Sequence, residues 1–345
     1  MSLFQYVRRE ARQLPETTPA PAGFTPIVST DEIQVFRGDE GWLYRLRKDP
    51  QSQWVRAGRD YRTIEHFVQD RKEEASPFLL RTAFECRFCY EGVVSLHAAC
   101  VEKDGFAVAF TGHSGLGKST RAQAWVDGLQ AKWLSGDRPA IRLEKQGATA
   151  CGVPWDGKEQ ILRDAEAPLR CIMEVRRSPL NYVRKLNEDQ ARRLLMKQSF
   201  VPMWDTDAAA MAMANVRQLV RKVPVYRVFC GPTPQDAQMI YDTLVHHPEK
   251  IREEAKDMKI KNGFTLRNVV DEYIVMPTGD NIAKFEGAVV LNEVSAFIYR
   301  QLQKPISRED LLSAVLNEYD VDEAAAAADL DALLQNLTDM GVLEK

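Results

Sequence analysis

The sequence predicts a mixed α/β domain built around one phosphate-binding loop, followed by a small winged-helix-like α+β module. Three observations predict it. A short apolar run, Phe106-Ala-Val-Ala-Phe110, leads directly into Gly112-His113-Ser114-Gly115-Leu116-Gly117-Lys118-Ser119, which fits G-x-x-x-x-G-K-[ST]. Strand-like runs alternate with amphipathic helical segments from Ser76 to about residue 247. From Lys259 the pattern changes to three short strands and three capped helices.

The loop justifies its own chemistry. Gly112, Gly115 and Gly117 permit φ > 0 and a close backbone approach, so that successive N–H groups can converge on an anion. Lys118 brings a compact positive charge to β- and γ-phosphates, and the Ser119 hydroxyl is placed to ligand Mg²⁺. The segment from Ser119 through Thr120 to Val126 lacks Gly and Pro and reads as a helix whose N-terminus adds to the anion site. Strand, loop and helix in that order imply ATP or another nucleoside triphosphate, with Mg²⁺.

Composition bounds the rest. A chain of 345 residues has room for two or three domains, and its 45% hydrophobic and 28% charged content is that of an ordinary globular protein. A net charge of −3 argues against a general binder of nucleic acid or of membrane surfaces. No apolar signal region opens the sequence and no window approaches about 18 consecutive apolar residues, so a cytoplasmic location is expected. The six cysteines form no framework, which fits free thiols in a reducing compartment. Cys86 and Cys89 make a C-x-x-C without a second pair at zinc spacing and are expected to pack on a helix over Leu79–Glu91.

Taken in order, residues 1–75 read as an N-terminal extension and a small antiparallel strand layer. The extension has a short helical pattern and then the Pro-rich LPETTPAPAG; the layer rests on alternating runs such as Ile33-Gln-Val-Phe-Arg and Gly41-Trp-Leu-Tyr-Arg-Leu. Residues 76–247 form the loop-containing domain. It starts with a helix whose apolar face is Phe78, Leu79, Thr82, Ala83, Cys86 and Cys89. Asp137 ends a short apolar run where a Walker B carboxylate would sit. Helices follow near Glu188–Gln198, Ala208–Arg221 and Pro234–Val245. Residues 248–258 are dense in charge and read as a linker with helical character. In the module of residues 259–345, Asn292, Ser307 and Asp322 are N-cap types, and Gly341 stops the last helix.

The loop region resembles the HPr kinase fold, in particular the HPr-kinase-like proteins of peptide natural-product biosynthesis. The matching residues are Leu96-His97-Ala98-Ala99, the loop itself, Gly136-Asp137-Arg138-Pro139 and Gly152-Val-Pro-Trp-Asp-Gly-Lys158, over roughly residues 75–245. The C-terminal module resembles PqqD, the peptide chaperone whose fold recurs as a leader-recognition element. That likeness rests on Glu272-Tyr-Ile-Val, the segment from Val290-Leu291-Asn292-Glu293 onward, and the ending Leu337-Thr-Asp-Met-Gly341-Val-Leu. A sheet edge at Ala288, Val289, Val290 and Leu291 suits a peptide added as a further strand. A DNA-binding winged helix fits less well, because the stretch from Asp322 to Asp331 is acidic and would repel phosphates.

The resemblance implies a leader-guided kinase that transfers the γ-phosphoryl group of ATP to a Ser or Thr hydroxyl of a ribosomally made precursor peptide, alone or beside partner modifying enzymes. It implies His97, Lys118 and Asp137 at the active site, with Ser119 and Asp137 toward the metal. HPr kinases assemble as hexamers, so it also implies a homo-oligomer. Two departures stand out. HPr kinases carry adjacent aspartates where this chain has Gly136-Asp137, and a Glu where it has Thr120. Asp137 then serves as base or as metal ligand, but hardly both; Asp156 is the candidate for the second carboxylate, and Lys158 for neutralising transferred phosphate. The alternatives are a catalytically degenerate nucleotide-binding chaperone that presents the peptide to another enzyme, and a kinase of a small protein or metabolite.

Overall fold

The computed structural model describes residues 12–15, 23–48, 53–68, 76–155, 161–176, 181–253, 257–269, 272–282 and 289–344, and the chain divides into two units, Met1–Glu253 and Glu254–Lys345. In the first unit, period-two alternation builds a layer of β1 (Arg12–Pro15), β2 (Thr25–Ser29), β3 (Ile33–Gly38), β4 (Gly41–Leu46), β5 (Gln53–Gly58) and β6 (Ile64–Val68) in the order β1-β6-β5-β4-β3-β2. Its pairs are antiparallel except that β1 runs parallel to β6. This corrects the reading of the N-terminal stretch: Arg12–Pro15 is an edge strand, a place where the missing N–H of Pro15 is tolerated. The helical pattern expected before it lies outside the described residues.

Helix α1 (Pro77–Tyr90) starts at Ser76, whose Oγ accepts the Leu79 amide at 3.5 Å, with Pro77 in the first turn. The one-sided apolar face expected for it is too narrow. Leu79, Ala83, Phe84, Cys86 and Phe88 all cluster with Val35, Tyr44 and Val55 of the small layer, with Ala140 and Cys151 of the larger sheet and with Trp155 just beyond it, so α1 is enclosed between two sheets. Cys86 and Cys89 are buried here, burial pushing the Cys89 thiol up to about 12. The described residues contain no cluster of three or more His, Cys, Asp or Glu suited to a metal ion.

The larger sheet comprises β7 (Val93–Ser95), β8 (Ala98–Lys103), β9 (Phe106–Thr111), β10 (Lys132–Ser135), β11 (Ala140–Leu143), β12 (Ala148–Cys151), β13 (Glu166–Arg176), β14 (Tyr182–Lys185), β15 (Val225–Phe229) and β16 (Arg252–Glu253). Its order is β10-β8-β9-β13-β12-β11-β7, and β15, β14 and β16 extend it from β13. The helices are α2 (Lys118–Leu129), α3 (Glu188–Gln198), α4 (Thr206–Lys222) and α5 (Pro234–Val245). Strand alternation divides them between the faces: Val108, Phe110, Cys171, Met173 and Val175 pack with α2 and α5, while Ala107, Ala109 and Ile172 pack with α3 and α4. Both β13 and β9 are central and run parallel, with Thr111 opposite Glu174, so the loop after β9 emerges where helix-covered strands end.

Two features were not foreseen. The short β14 has no long apolar run to announce it. Within the expected linker, Pro248–Lys250 forms a 3₁₀ turn and β16 pairs with β14, so that part belongs to the first unit. In the second unit, β18 (Phe264–Val269), β19 (Glu272–Pro277) and β20 (Val289–Leu291) form an antiparallel sheet, and β17 (Lys259–Ile260) pairs with β21 (Leu343–Glu344). Helices α6 (Glu293–Gln301), α7 (Arg308–Glu318) and α8 (Glu323–Asp339) begin at Asn292, Ser307 and Asp322, whose side chains accept the amides of Ser295, Asp310 and Ala325 at 2.8, 3.1 and 3.0 Å. Gly341, at φ +72°, ends the last of them. No described helix is long and apolar enough to cross a membrane. The α/β class and the C-terminal α+β module agree with the expectation.

One buried imidazole makes this fold acid-sensitive. His66 Nε2 lies 3.2 Å from Gln53 Oε1, which also accepts the Ser76 amide at 2.6 Å and so ties the small layer to the start of α1. Since that oxygen accepts, Nε2–H donates, and Nδ1 is left buried without a partner. Burial lowers the imidazole from 6.5 to about 4. A depressed histidine contributes stability that is full above pH 6.5 and is lost as pH falls toward 4, here about 3 kcal/mol. Thermal melts should therefore show the wild-type chain losing more stability between pH 6.5 and 4 than His66→Gln does; equal losses contradict this origin.

Candidate functional site

The loop from Gly112 to Gly117 turns between β9 and α2 by placing all three of its glycines at positive φ, +136°, +83° and +86°. Gly117 is the N-cap of α2 and no side chain caps that end, so its first-turn amides are not taken by a capping group. Lys118 Nζ folds over the loop and donates to the carbonyls of Gly112 and His113 at 3.1 and 3.4 Å. Beneath, the buried Arg121 donates to Leu116 O at 3.1 Å and to Cys230 O at 2.8 Å, fastening the loop to the end of β15. His113, Ser114, Gly115 and Thr120 are exposed, and Leu116, Lys118 and Ser119 half-buried. Nests of backbone N–H groups in such turns hold oxyanions.

His97 and Asp137 meet beside this loop. The Asp137 carbonyl accepts Ser135 Oγ at 3.0 Å, Arg138 follows at φ +53°, and the Pro139 carbonyl accepts the Leu96 amide at 3.3 Å. His97 is fixed at both backbone ends: its amide donates to Gln198 O at 2.7 Å, and its carbonyl accepts Thr111 Oγ1 at 2.9 Å. His97 Nε2 lies 3.9 Å from Asp137 Oδ1, a charge-pair distance rather than a hydrogen bond. Burial and then the Lys118 charge hold the imidazole below its ordinary value, with Arg138 acting the same way, against Asp137 and a bond with Gln198 that raise it. Lys118, His97 and Asp137 therefore share one electrostatic environment. Asp156 and Lys158 lie outside the described residues, just after the buried Trp155.

The sequence reading missed a charged cluster at the end of β13. Glu174, 2% exposed, accepts Arg227 Nε at 2.8 Å and pairs with Arg176 at 2.8 Å. Two guanidinium groups therefore flank one buried carboxylate. The Val175 carbonyl between them would lie 3.5 Å from a Cβ on Gly112. The available signal was the polar pair Glu174 and Arg176 alternating with the apolar Met173 and Val175 in β13.

In the second unit, β20 is an edge of its sheet, as the segment 288–291 was expected to be; Ala288 lies outside the described residues. Val289 and Leu291 are buried while Val290 is 58% exposed. Beside it opens a groove of about 680 Å³ lined by Val290, Leu291, Ile298, Val321, Leu330 and Leu333, from β20, α6, α8 and the turn before α8. An open strand edge next to a groove of mixed apolar and polar lining accepts an extended peptide.

The loop's geometry gives a stability test. A Cβ on Gly117 would meet Arg121 Nη1 at 2.3 Å, whereas one on Gly105, also left-handed at φ +79°, meets nothing within 4 Å. In urea unfolding, Gly105→Ala should cost about 1 kcal/mol and Gly117→Ala roughly 1–2 kcal/mol more; equal costs would mean that Arg121 does not brace the loop.

No curated protein matches the chain. Among solved structures, TbiB1 in complex with the TbiA(beta) leader peptide is 23% identical, with 25% of this chain and 94% of that one covered, at a TM-score of 0.22. Lasso peptide synthetase B1 complexed with the leader peptide is 18% identical over 26% of this chain and 99% of that one, also at 0.22. The Hpr(Ser) kinase/phosphatase from Coxiella burnetii is 12% identical over 45% of this chain and 95% of that one, at 0.25. Residues 272–343 match the family Coenzyme PQQ synthesis protein D (PqqD), so the C-terminal unit carries a PqqD domain.

Proposed function

We propose that the chain is a leader-guided peptide kinase, which moves the γ-phosphoryl group of ATP to a Ser or Thr hydroxyl of a precursor peptide held by its PqqD domain. The observation that carries this is the meeting of the glycine loop, Lys118, His97 and Asp137 at one set of strand ends. Phosphoryl transfer asks mainly for positioning and charge neutralisation, and that set supplies both.

The residues present fit a nucleotide and Mg²⁺: three left-handed glycines and an uncapped helix start suit phosphates, and a hydroxyl with one carboxylate suits a cation that keeps most of its waters. Ser119 and Asp137 would hold the Mg²⁺, which supplies neutralisation of phosphate charge. Lys118 leaves its loop carbonyls for the β- and γ-phosphates. The acceptor oxygen bonds to the γ-phosphorus as the bond to the bridging oxygen of ADP breaks. With Asp137 given to the metal, the imidazole of His97 beside it takes the hydroxyl proton. The exposed Val290 edge and its groove hold the leader as an added strand.

A second reading, a nucleotide-ordered peptide chaperone, is favoured by Gly136, which leaves one carboxylate where the resembling kinases have two. Transfer of label from [γ-³²P]ATP to a precursor peptide separates the two. Lys118→Ala should lower transfer at least ~100-fold, and Val290→Asp should raise the peptide KM roughly tenfold with the ATP KM unchanged. Peptide binding without any transfer would leave the chaperone.

A further inference from the structure

A buried carboxylate in α1 sits behind the candidate site. Glu85 is 2% exposed and reaches toward the two chain segments that deliver His97 and Asp137. Its Oε1 accepts Ser95 Oγ at 2.5 Å, two residues before His97, and lies 3.7 Å from Arg138 Nη1, one residue after Asp137. Its Oε2 lies 3.8 Å from Arg81 Nε, one turn earlier on the same helix. Burial raises the pKa of this acid, while Arg138, Arg81 and the Ser95 bond lower it and the Asp137 charge raises it again, so Glu85 and Asp137 lie within electrostatic reach of each other.

Arg138 is the awkward member. It holds a left-handed backbone at φ +53°, a conformation that persists in a non-glycine residue only where its surroundings fix it. Its own neighbour in sequence, Asp137, is the other carboxylate its guanidinium would seek. The turn has anchors that do not involve the Arg138 side chain, namely Ser135 Oγ on the Asp137 carbonyl and the Leu96 amide on the Pro139 carbonyl.

We propose that Glu85 is a positioning residue: by pairing with Arg138 from the buried side, it keeps that guanidinium off Asp137 and leaves the Asp137 carboxylate directed at the metal of a bound nucleotide. This rests on the nucleotide and Mg²⁺ reading given above. It also accounts for how a chain with Gly136 manages with one carboxylate at that turn: the second acid comes from α1 and acts behind the site. A carboxylate neutralised by an adjacent guanidinium is a poor ligand for a hard cation, and loss of groups that orient a metal ligand weakens metal binding by about 10–100-fold.

The test is calorimetric titration of the full chain with ADP, in Mg²⁺ and in EDTA. Wild type should bind ADP more tightly with Mg²⁺. In Glu85→Gln that Mg²⁺-dependent gain should shrink roughly tenfold, with affinity in EDTA unchanged. Glu85→Gln combined with Arg138→Gln should regain most of it, since the released cation is gone, and Arg138→Gln alone should keep the full gain. A full gain in Glu85→Gln overturns the proposal while leaving the nucleotide reading intact. A tenfold loss in Arg138→Gln, whose side chain is 27% exposed and whose folding does not depend on removing a buried acid, also overturns it, because Arg138 would then be needed for itself. Absence of any Mg²⁺-dependent gain in wild type overturns the metal role of Asp137 and this proposal with it.

Discussion

A buried guanidinium holds the centre of this protein. Arg121 lies under the glycine loop and donates from Nη1 to Leu116 O in the loop and from Nη2 to Cys230 O just after β15, while its Nε is buried without a hydrogen-bond partner. Taking a guanidinium out of water is costly unless its donors are met, so drift of the loop from the sheet would break these two bonds and add to that cost. Everything else at the site is placed relative to this anchor. The left-handed Gly117 passes directly over Arg121, α2 starts from it, and β9 behind it carries Thr111, which holds the His97 carbonyl.

Around the anchor, polar groups are arranged in two depths. His97, Lys118 and Asp137 face outward and share one electrostatic environment. Behind them, Glu85 in α1 and Glu174 in β13 are almost fully buried, and each is surrounded by arginines. Buried acids of this kind add little stability over apolar packing. Helix α1 can supply one because it is enclosed between two sheets, an arrangement that also ties the small N-terminal layer to the site.

Much of this was legible in the sequence, and the limits have physical causes. The glycine loop could be read because φ > 0 demands particular residues at particular spacings, and the caps at Asn292, Ser307 and Asp322 because each is a local hydrogen bond. The enclosure of α1 was not legible, since periodicity shows that Phe84 and Phe88 are apolar but not that a second sheet will cover them. Short strands such as β14, β16 and β21 escaped because their stability comes from the partner strand and not from their own residues. The pairing of Glu85 with Arg138 joins residues 53 positions apart and leaves no linear trace.

In the proposed function the two units divide recognition from chemistry: an open strand edge and its groove in the PqqD domain, and a phosphate-type loop with an imidazole and a carboxylate in the α/β unit. The central claim is that the first serves the second. The most direct measurement is the intact mass of a precursor peptide, and of the same peptide without its leader, after incubation with the full chain, ATP and Mg²⁺. The account predicts a gain of one phosphate, about 80 Da, on the complete precursor and none on the leaderless peptide. No gain on either, or equal gain on both, would contradict it.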